Sequence, residues 1–297
     1  MFRRLLVPLD GSPFAASVVP LSIDLARRTD GEVRFVVVTP PPPVSDGSVT
    51  VLNPSLAPSM RTENRRYLDD LLAREASKGV KLSGELLDGP VVDTLADAIR
   101  AHGSDLVVLA THGRGGFSRF WLGSTATGLI RQSPAPLLLL RPGEGELLPP
   151  VQPKKVLLPV DGSGVGDAII WDALAFGGVE GVEYHVVQVI PAVPVVLSAA
   201  SPARDEKLFA ERQAAALASL ASVREGFAAR GATCKASILV AENVSEELID
   251  YADREDCDLI AMGTHGRAGV GRLLIGSVAD KVIRGSRVPM LLRGPSA

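Results

Sequence analysis

"RRLLVPLDGS", Arg3 to Ser12, returns 151 positions later as "KKVLLPVDGS", Lys154 to Ser163. Both stretches have the same build: two basic residues, a short apolar run holding one proline, then Asp-Gly-Ser. A second pair follows. "THGRGGFSRFWLGS" (111–124) matches "THGRAGVGRLLIGS" (264–277) at an offset of 153. A difference of two residues between the offsets is ordinary loop variation. The 297 residues therefore read as one unit of about 150 residues, duplicated. The domains fall at 1–142 and 154–297. The linker between them, 143–153, is "GEGELLPPVQP", punctuated by Gly and Pro.

Within each half, short apolar runs alternate with longer helical patterns. Strands are expected at 4–9, 33–39, 81–87, 105–110 and 136–140, and again at 155–160, 183–190, 234–240, 258–263 and 289–292. The runs "LLVPL", "FVVV", "LVVLA" and "LLLL" are continuous rather than alternating, as in strands covered on both faces. Helices are expected at 13–29, 58–77, 91–102 and 124–132, then at 166–176, 204–229, 244–254 and 277–284. In the third of these, Val92, Leu95 and Ile99 share one face and Gly103 ends the pattern. The fold class is α/β: two tandem open, doubly wound domains, each a five-stranded parallel sheet with helices on both faces. Ligands in such sheets bind outside the carboxyl ends of the strands.

Composition narrows the function classes. Apolar residues make up 46% and the formal charge is −3. No long basic tract supplies the positive footprint of a nucleic-acid carrier. Two cysteines form neither a disulfide framework nor a metal cluster, and the four histidines lack metal-ligand spacing. The first apolar run stops at Asp10, too short for a signal peptide, and no stretch is long enough for a spanning helix. The expected location is the cytoplasm.

The glycine segments carry the chemistry. After the fourth strand of the second half come Gly263 and Gly266, then nine residues, then Gly276–Ser277 at the start of a helix. Four backbone N–H groups at a helix start have no internal partner. Glycine at 276 offers close approach, and Ser277 adds a hydroxyl. The combination is an anion site of the phosphate type, to which Arg267 and Arg272 can add charge. It is neither a Walker A loop nor a dinucleotide fingerprint. Asp10 and Asp161 end the first strands and lie beside these loops. A carboxylate there suits a ribose hydroxyl, an adenine amino group or a metal. It can also cap the helix that follows, and the two roles are compatible.

This combined pattern resembles the ATP-binding signature of the universal stress protein family. "LLPVDGS" and "VADKVIRGSRVPMLL" are similar to that family's first strand and to its last helix and strand. The resemblance covers essentially the whole chain. It implies ATP with magnesium as ligand, with Asp161 at the adenosine end and Val189 contacting adenine through its backbone. Gly263, Gly266, Arg267, Gly276, Ser277 and Val278 then line ribose and phosphates. The matching residues of the first half are Asp10, Val38, Gly113, Arg114, Gly123, Ser124 and Thr125. There Ala110 stands in place of the first glycine. Its methyl either crowds the ligand or is harmless because the backbone avoids positive φ. The second site, with every signature residue, is expected to be the stronger.

The resemblance also implies that the last strands, 137–140 and 290–292, pair as an intramolecular pseudo-dimer. A further homodimer and an unidentified protein partner are open. No serine elbow, Cys–His–Asn set or water-activating base is visible, so hydrolysis is expected to be slow or absent and no catalytic residue is assigned. The leading reading is an ATP-binding stress or signalling module. The alternatives are an interaction module without nucleotide and a nucleotide-alpha-hydrolase-type enzyme, for which "LDGSP" is too short a loop.

Overall fold

The computed structural model describes residues 1–41, 56–111, 122–141, 152–163, 168–192, 202–264 and 275–294. The chain divides into two compact units, Met1–Val151 and Gln152–Pro295. In the first, β1 (Arg4–Leu9) leads through α1 (Pro13–Ala16) and α2 (Val19–Thr29) to β2 (Glu32–Thr39). Then come α3 (Leu56–Glu75), β3 (Lys81–Asp88), α4 (Val91–His102), β4 (Leu106–Ala110), α5 (Ser124–Gln132) and β5 (Leu137–Leu140). The second unit runs β6 (Lys155–Pro159), α6 (Ala168–Gly177), β7 (Glu183–Pro191), α7 (Pro202–Ala228) and β8 (Cys234–Ala241). It continues with α8 (Val244–Arg254), β9 (Leu259–Gly263), α9 (Ser277–Gly285) and β10 (Met290–Arg293).

The strand order in the first unit is β3-β2-β1-β4-β5, with every neighbouring pair parallel. In the second unit β8-β7-β6-β9-β10 repeats that order, again in parallel. The register repeats too. Arg4 stands opposite Glu32 and Leu5 opposite Leu106; Lys155 stands opposite Glu183 and Val156 opposite Leu259. Successive side chains of a strand point to opposite faces. Leu106, Val107, Val108 and Leu109 are all buried in sequence, so both faces of the sheet are covered there. This is the physical meaning of the unbroken apolar runs.

The helix expected over 13–29 is two helices. Pro20 has no N–H to give and its ring crowds the carbonyl four residues back, at Ala16, where α1 stops. Ser17 closes that end with its hydroxyl on the Phe14 carbonyl at 2.6 Å, and Ser22 N donates to the Val18 carbonyl at 2.9 Å as α2 begins.

Each unit also pins the start of its first strand with a carboxylate. Asp105, just before β4, accepts from the Arg3 amide at 2.9 and 3.1 Å and from the Arg4 amide at 2.9 Å. Asp258, just before β9, accepts from the Lys154 and Lys155 amides at 2.8 and 3.2 Å. These strands are neighbours but lie about a hundred residues apart in the chain, so the clamp fixes a non-local register. Its bonds are charge-assisted but partly open to solvent. Asp258→Ala should lower the stability of the second unit by about 1 kcal/mol, read as a drop in the urea midpoint with unchanged slope.

Candidate functional site

The turn after the first strand is built the same way twice. The Asp10 carboxylate accepts from Ser12 N at 2.9 Å, and Asp161 accepts from Ser163 N at 2.9 Å. The intervening residues, Gly11 and Gly162, have φ of 79° and 71°, a region in which a side chain is strained. In the first unit the cap of the following helix is Ser12, whose Oγ accepts from Ala15 N at 3.1 Å. Asp10 is therefore not the cap; it braces the turn that delivers the cap. In the second unit Ser163 also donates its hydroxyl to Asp161, at 2.6 Å.

The ends of each glycine segment are tied together. Thr111 N donates to the Leu140 carbonyl at 2.9 Å, and the Thr111 carbonyl accepts from Gly123 N at 3.0 Å. Thr264 N donates to the Arg293 carbonyl at 2.9 Å, and the Thr264 carbonyl accepts from Gly276 N at 2.8 Å. A Cβ on Gly123 would stand 3.2 Å from that threonine oxygen, and one on Gly276 would stand 3.1 Å away. This close approach within the protein is itself a reason for glycine, separate from any ligand. Ser124 and Ser277 follow as exposed first residues of α5 and α9.

A cavity of about 610 Å³ opens at the carboxyl ends of β1, β2 and β4 in the first unit. Asp10, Val38, Gly123, Ser124 and Thr125 all line it, so five of the seven first-half candidates come together. Gly113 and Arg114 lie outside the described residues, as do Gly266, Arg267 and Arg272 of the second half. Ala110 lines the same cavity. It is the last residue of β4, opposite Leu140, and Gly263 is the last residue of β9, opposite Arg293. Neither has positive φ. The first glycine of the signature is thus not required by backbone conformation, and an alanine methyl is compatible with a large cavity.

In the second unit Asp161 follows β6, Val189 lies in β7, and Gly276, Ser277 and Val278 open α9. One difference stands out at that helix. Asp280 lies in its first turn, held by Arg284 Nε at 2.9 and 3.0 Å, where the first unit has Thr127. A carboxylate there already satisfies part of the helix dipole.

Several site residues were not anticipated from sequence. Met60 and Asn64 line the cavity from α3. Asn64 Nδ2 donates to Thr39 Oγ1 at 3.3 Å. The signal was available: Asn64 begins the stripe Leu68, Leu71, Glu75, where an amide is out of place on a buried face. Tyr67 has a buried hydroxyl with no partner among the described residues. Burial pushes its pKa up, and the Asp10 carboxylate adds to the shift, which puts the phenol within the field of the site. In the second unit Gln188 is buried in β7, with Nε2 donating to the Asp161 carbonyl at 3.4 Å.

Among the described residues, the other reactive side chains serve the framework. His185 is enclosed between Tyr251 Oη at 2.9 Å and Glu183 Oε1 at 2.6 Å, and His102 meets Glu85 at 2.7 Å. His112 and His265 lie outside the described residues. Both cysteines are free thiols; burial raises the pKa of Cys234 and takes Cys257 up to about 11, which keeps them protonated and unreactive. Among the described residues, no group of three acidic, His or Cys side chains could hold a metal by itself, and no helix is long and apolar enough to cross a membrane.

A model of the universal stress protein family matches residues 1–141 and 153–292. A universal stress protein of Mycobacterium tuberculosis is 28% identical over 228 residues, covering 74% of this chain and 72% of its own. Another from the same organism is 26% identical over 302 residues, covering 97% of this chain and 95% of its own. Among solved structures, a universal stress protein from Archaeoglobus fulgidus superposes with a TM-score of 0.72 at 18% identity, over 99% of this chain and 98% of that one. That likeness speaks for the fold.

The tied loop ends generate a prediction that needs no ligand. Gly123→Ala and Gly276→Ala each push a methyl against a carbonyl that cannot retreat without losing its own hydrogen bond. Each should cost about 1 kcal/mol, nearly equally in the two units. Urea denaturation of the single variants, with Ser124→Ala as a near-neutral control, measures it.

Proposed function

The chain belongs to the universal stress protein family, and from that membership we propose that it binds ATP and acts through nucleotide-dependent conformation or partner binding. The observation that carries the reading is the first-unit cavity. It brings a carboxylate, an apolar slot and a glycine-started helix N-terminus to one place. Its volume of about 610 Å³ is that of a pocket for a nucleotide-sized molecule. Val36, Val37 and Val38 offer apolar walls for a flat base. Asp10 faces the sugar or the base amino group. The N–H groups of Ser124 and Thr125 take the phosphates, joined by Gly113 and Arg114. In the second domain Asp161, Val189, Gly263, Gly266, Arg267, Gly276, Ser277 and Val278 play the matching parts.

Magnesium fits this donor set as a companion of the phosphates. It commonly keeps several waters and takes only one or two carboxylates, which one aspartate per site satisfies. The metal would neutralise phosphate charge. On this reading the residues bind and orient, none among the described residues is assigned to activate a water, and hydrolysis is slow or absent. The same reading takes 143–153 as the linker between two doubly wound domains, and places the protein in the cytoplasm as a stress-response component. It also has β5 and β10 pair edge to edge, since an apolar edge strand left open is an aggregation hazard.

Ser124→Glu separates binding from folding. A carboxylate at a helix start favours the helix dipole but repels a phosphate. Thermal stability should hold or rise slightly, while calorimetry with ATP and magnesium should show the first-domain affinity falling at least about tenfold. Unchanged affinity with an intact fold would remove the first-domain site, and a wild-type chain that gives no heat with ATP would remove the reading altogether.

A further inference from the structure

Buried hydrogen-bonding atoms without a partner are rare in folded proteins and call for an explanation. Gln188 supplies one. The residue is 6% exposed, and Oε1 has no partner among the described residues. The orientation of the amide is not arbitrary. Nε2 donates to the Asp161 carbonyl at 3.4 Å, and turning the group over would set two oxygens against each other. The oxygen is therefore an acceptor held ready, next to the aspartate that follows β6.

Register places this acceptor at the site. Lys155 opposite Glu183 corresponds to Arg4 opposite Glu32, so Gln188 occupies the position of Val37. Val37 lines the first-domain cavity. The facing helix changes in the opposite sense. The buried residues Leu68, Leu71 and Glu75 of α3 correspond to Leu220, Val223 and Phe227 of α7, which sets Asn64 against Ala216. Each domain thus carries one carboxamide at the base end of its site. In the first it comes from the helix, with a valine on the strand. In the second it comes from the strand, with an alanine on the helix. The amide is kept while its wall is exchanged, which a residue serving packing alone does not require.

We propose that Gln188 reads the base in the second domain, its amide oxygen accepting a hydrogen bond from the exocyclic amino group of a 6-aminopurine. This rests on the nucleotide reading above and adds the residue that sets its selectivity. An oxo group in place of the amino group would put two acceptors together in a buried place, a pairing that sites built to hydrogen-bond reject strongly.

The test is calorimetry on the full chain with magnesium and either ATP or inosine triphosphate, in the Ser124→Glu background so that the second domain is titrated. Gln188 should give at least a tenfold preference for ATP. With Gln188→Val, the residue found at position 37, the preference should fall to about twofold or less. Gln188→Met, which keeps the length but lacks the acceptor, should behave alike if valine leaves a void. Because a stranded acceptor is removed, the ligand-free melting temperature of either variant should be unchanged or higher. A preference that survives both substitutions overturns the role of Gln188 and leaves the nucleotide site standing. A melting temperature several degrees lower, with both affinities reduced equally, marks a structural amide and also overturns it. Binding lost completely in the Ser124→Glu chain but present in wild type confines nucleotide to the first domain and refutes the proposal. No binding of either nucleotide to wild type defeats this inference and the nucleotide reading together.

Discussion

Parallel pairing is the constraint from which the rest follows. A chain leaving one strand must travel back along the sheet before it can pair in parallel again. Every crossover therefore departs from the same edge, and the ends of β1, β2 and β4 gather there with the start of α5. Nothing else is needed to bring Asp10, Val38 and Ser124, which are far apart in sequence, around one cavity. The opposite edge does different work. There Asp105 and Asp258 hold the first strand against the fourth through backbone amides, independently of side-chain packing. One edge sets the register, and the other gathers the cavity.

The two domains show what that division permits. Their strand order and register are the same although the matching segments lie at two different offsets. Three differences fall at the carboxyl edge: Ala110 against Gly263, Thr127 against Asp280, Val37 against Gln188. None of these changes disturbs a ladder. Asp280 is drawn off by Arg284 rather than left facing the helix start alone. The domains are thus alike as scaffolds and unlike as sites, and each site must be characterised separately.

Most of the framework could be read from residues because buried parallel strands leave continuous apolar runs and the duplication checked each assignment twice. Strand ends agreed to within one residue at every position. The split of 13–29 escaped because Pro20 is ambiguous in sequence; it tolerates the first turn of a helix as readily as it breaks an interior. The clamps by Asp105 and Asp258 escaped because a carboxylate reaching backbone amides across a hundred residues leaves no periodic trace. At the site, turn and helix-start residues were legible from their types. Tyr67 and Gln188 were not, since each sits on an element whose pattern reads as core, whereas Asn64 left a trace as an amide on a buried helix face. The reason for glycine at 123 and 276 was also only half visible. Sequence points to an approaching anion, whereas the nearest atom to a Cβ at either position is a threonine oxygen of the protein itself.

The bond from Gly123 N to the Thr111 carbonyl, and its twin at Gly276 and Thr264, has a further consequence. It joins the end of the strand directly to the start of the helix, across an insert of eleven residues. Loop-closure entropy rises only slowly with length, so the insert can lengthen, shorten or change composition without disturbing what it joins. The divergence of "FSRFW" from "VGRLL" within segments that begin and end alike is what such an arrangement allows. The fold can thereby change sequence at the carboxyl edge of its sheet, twice per chain, without renegotiating the core.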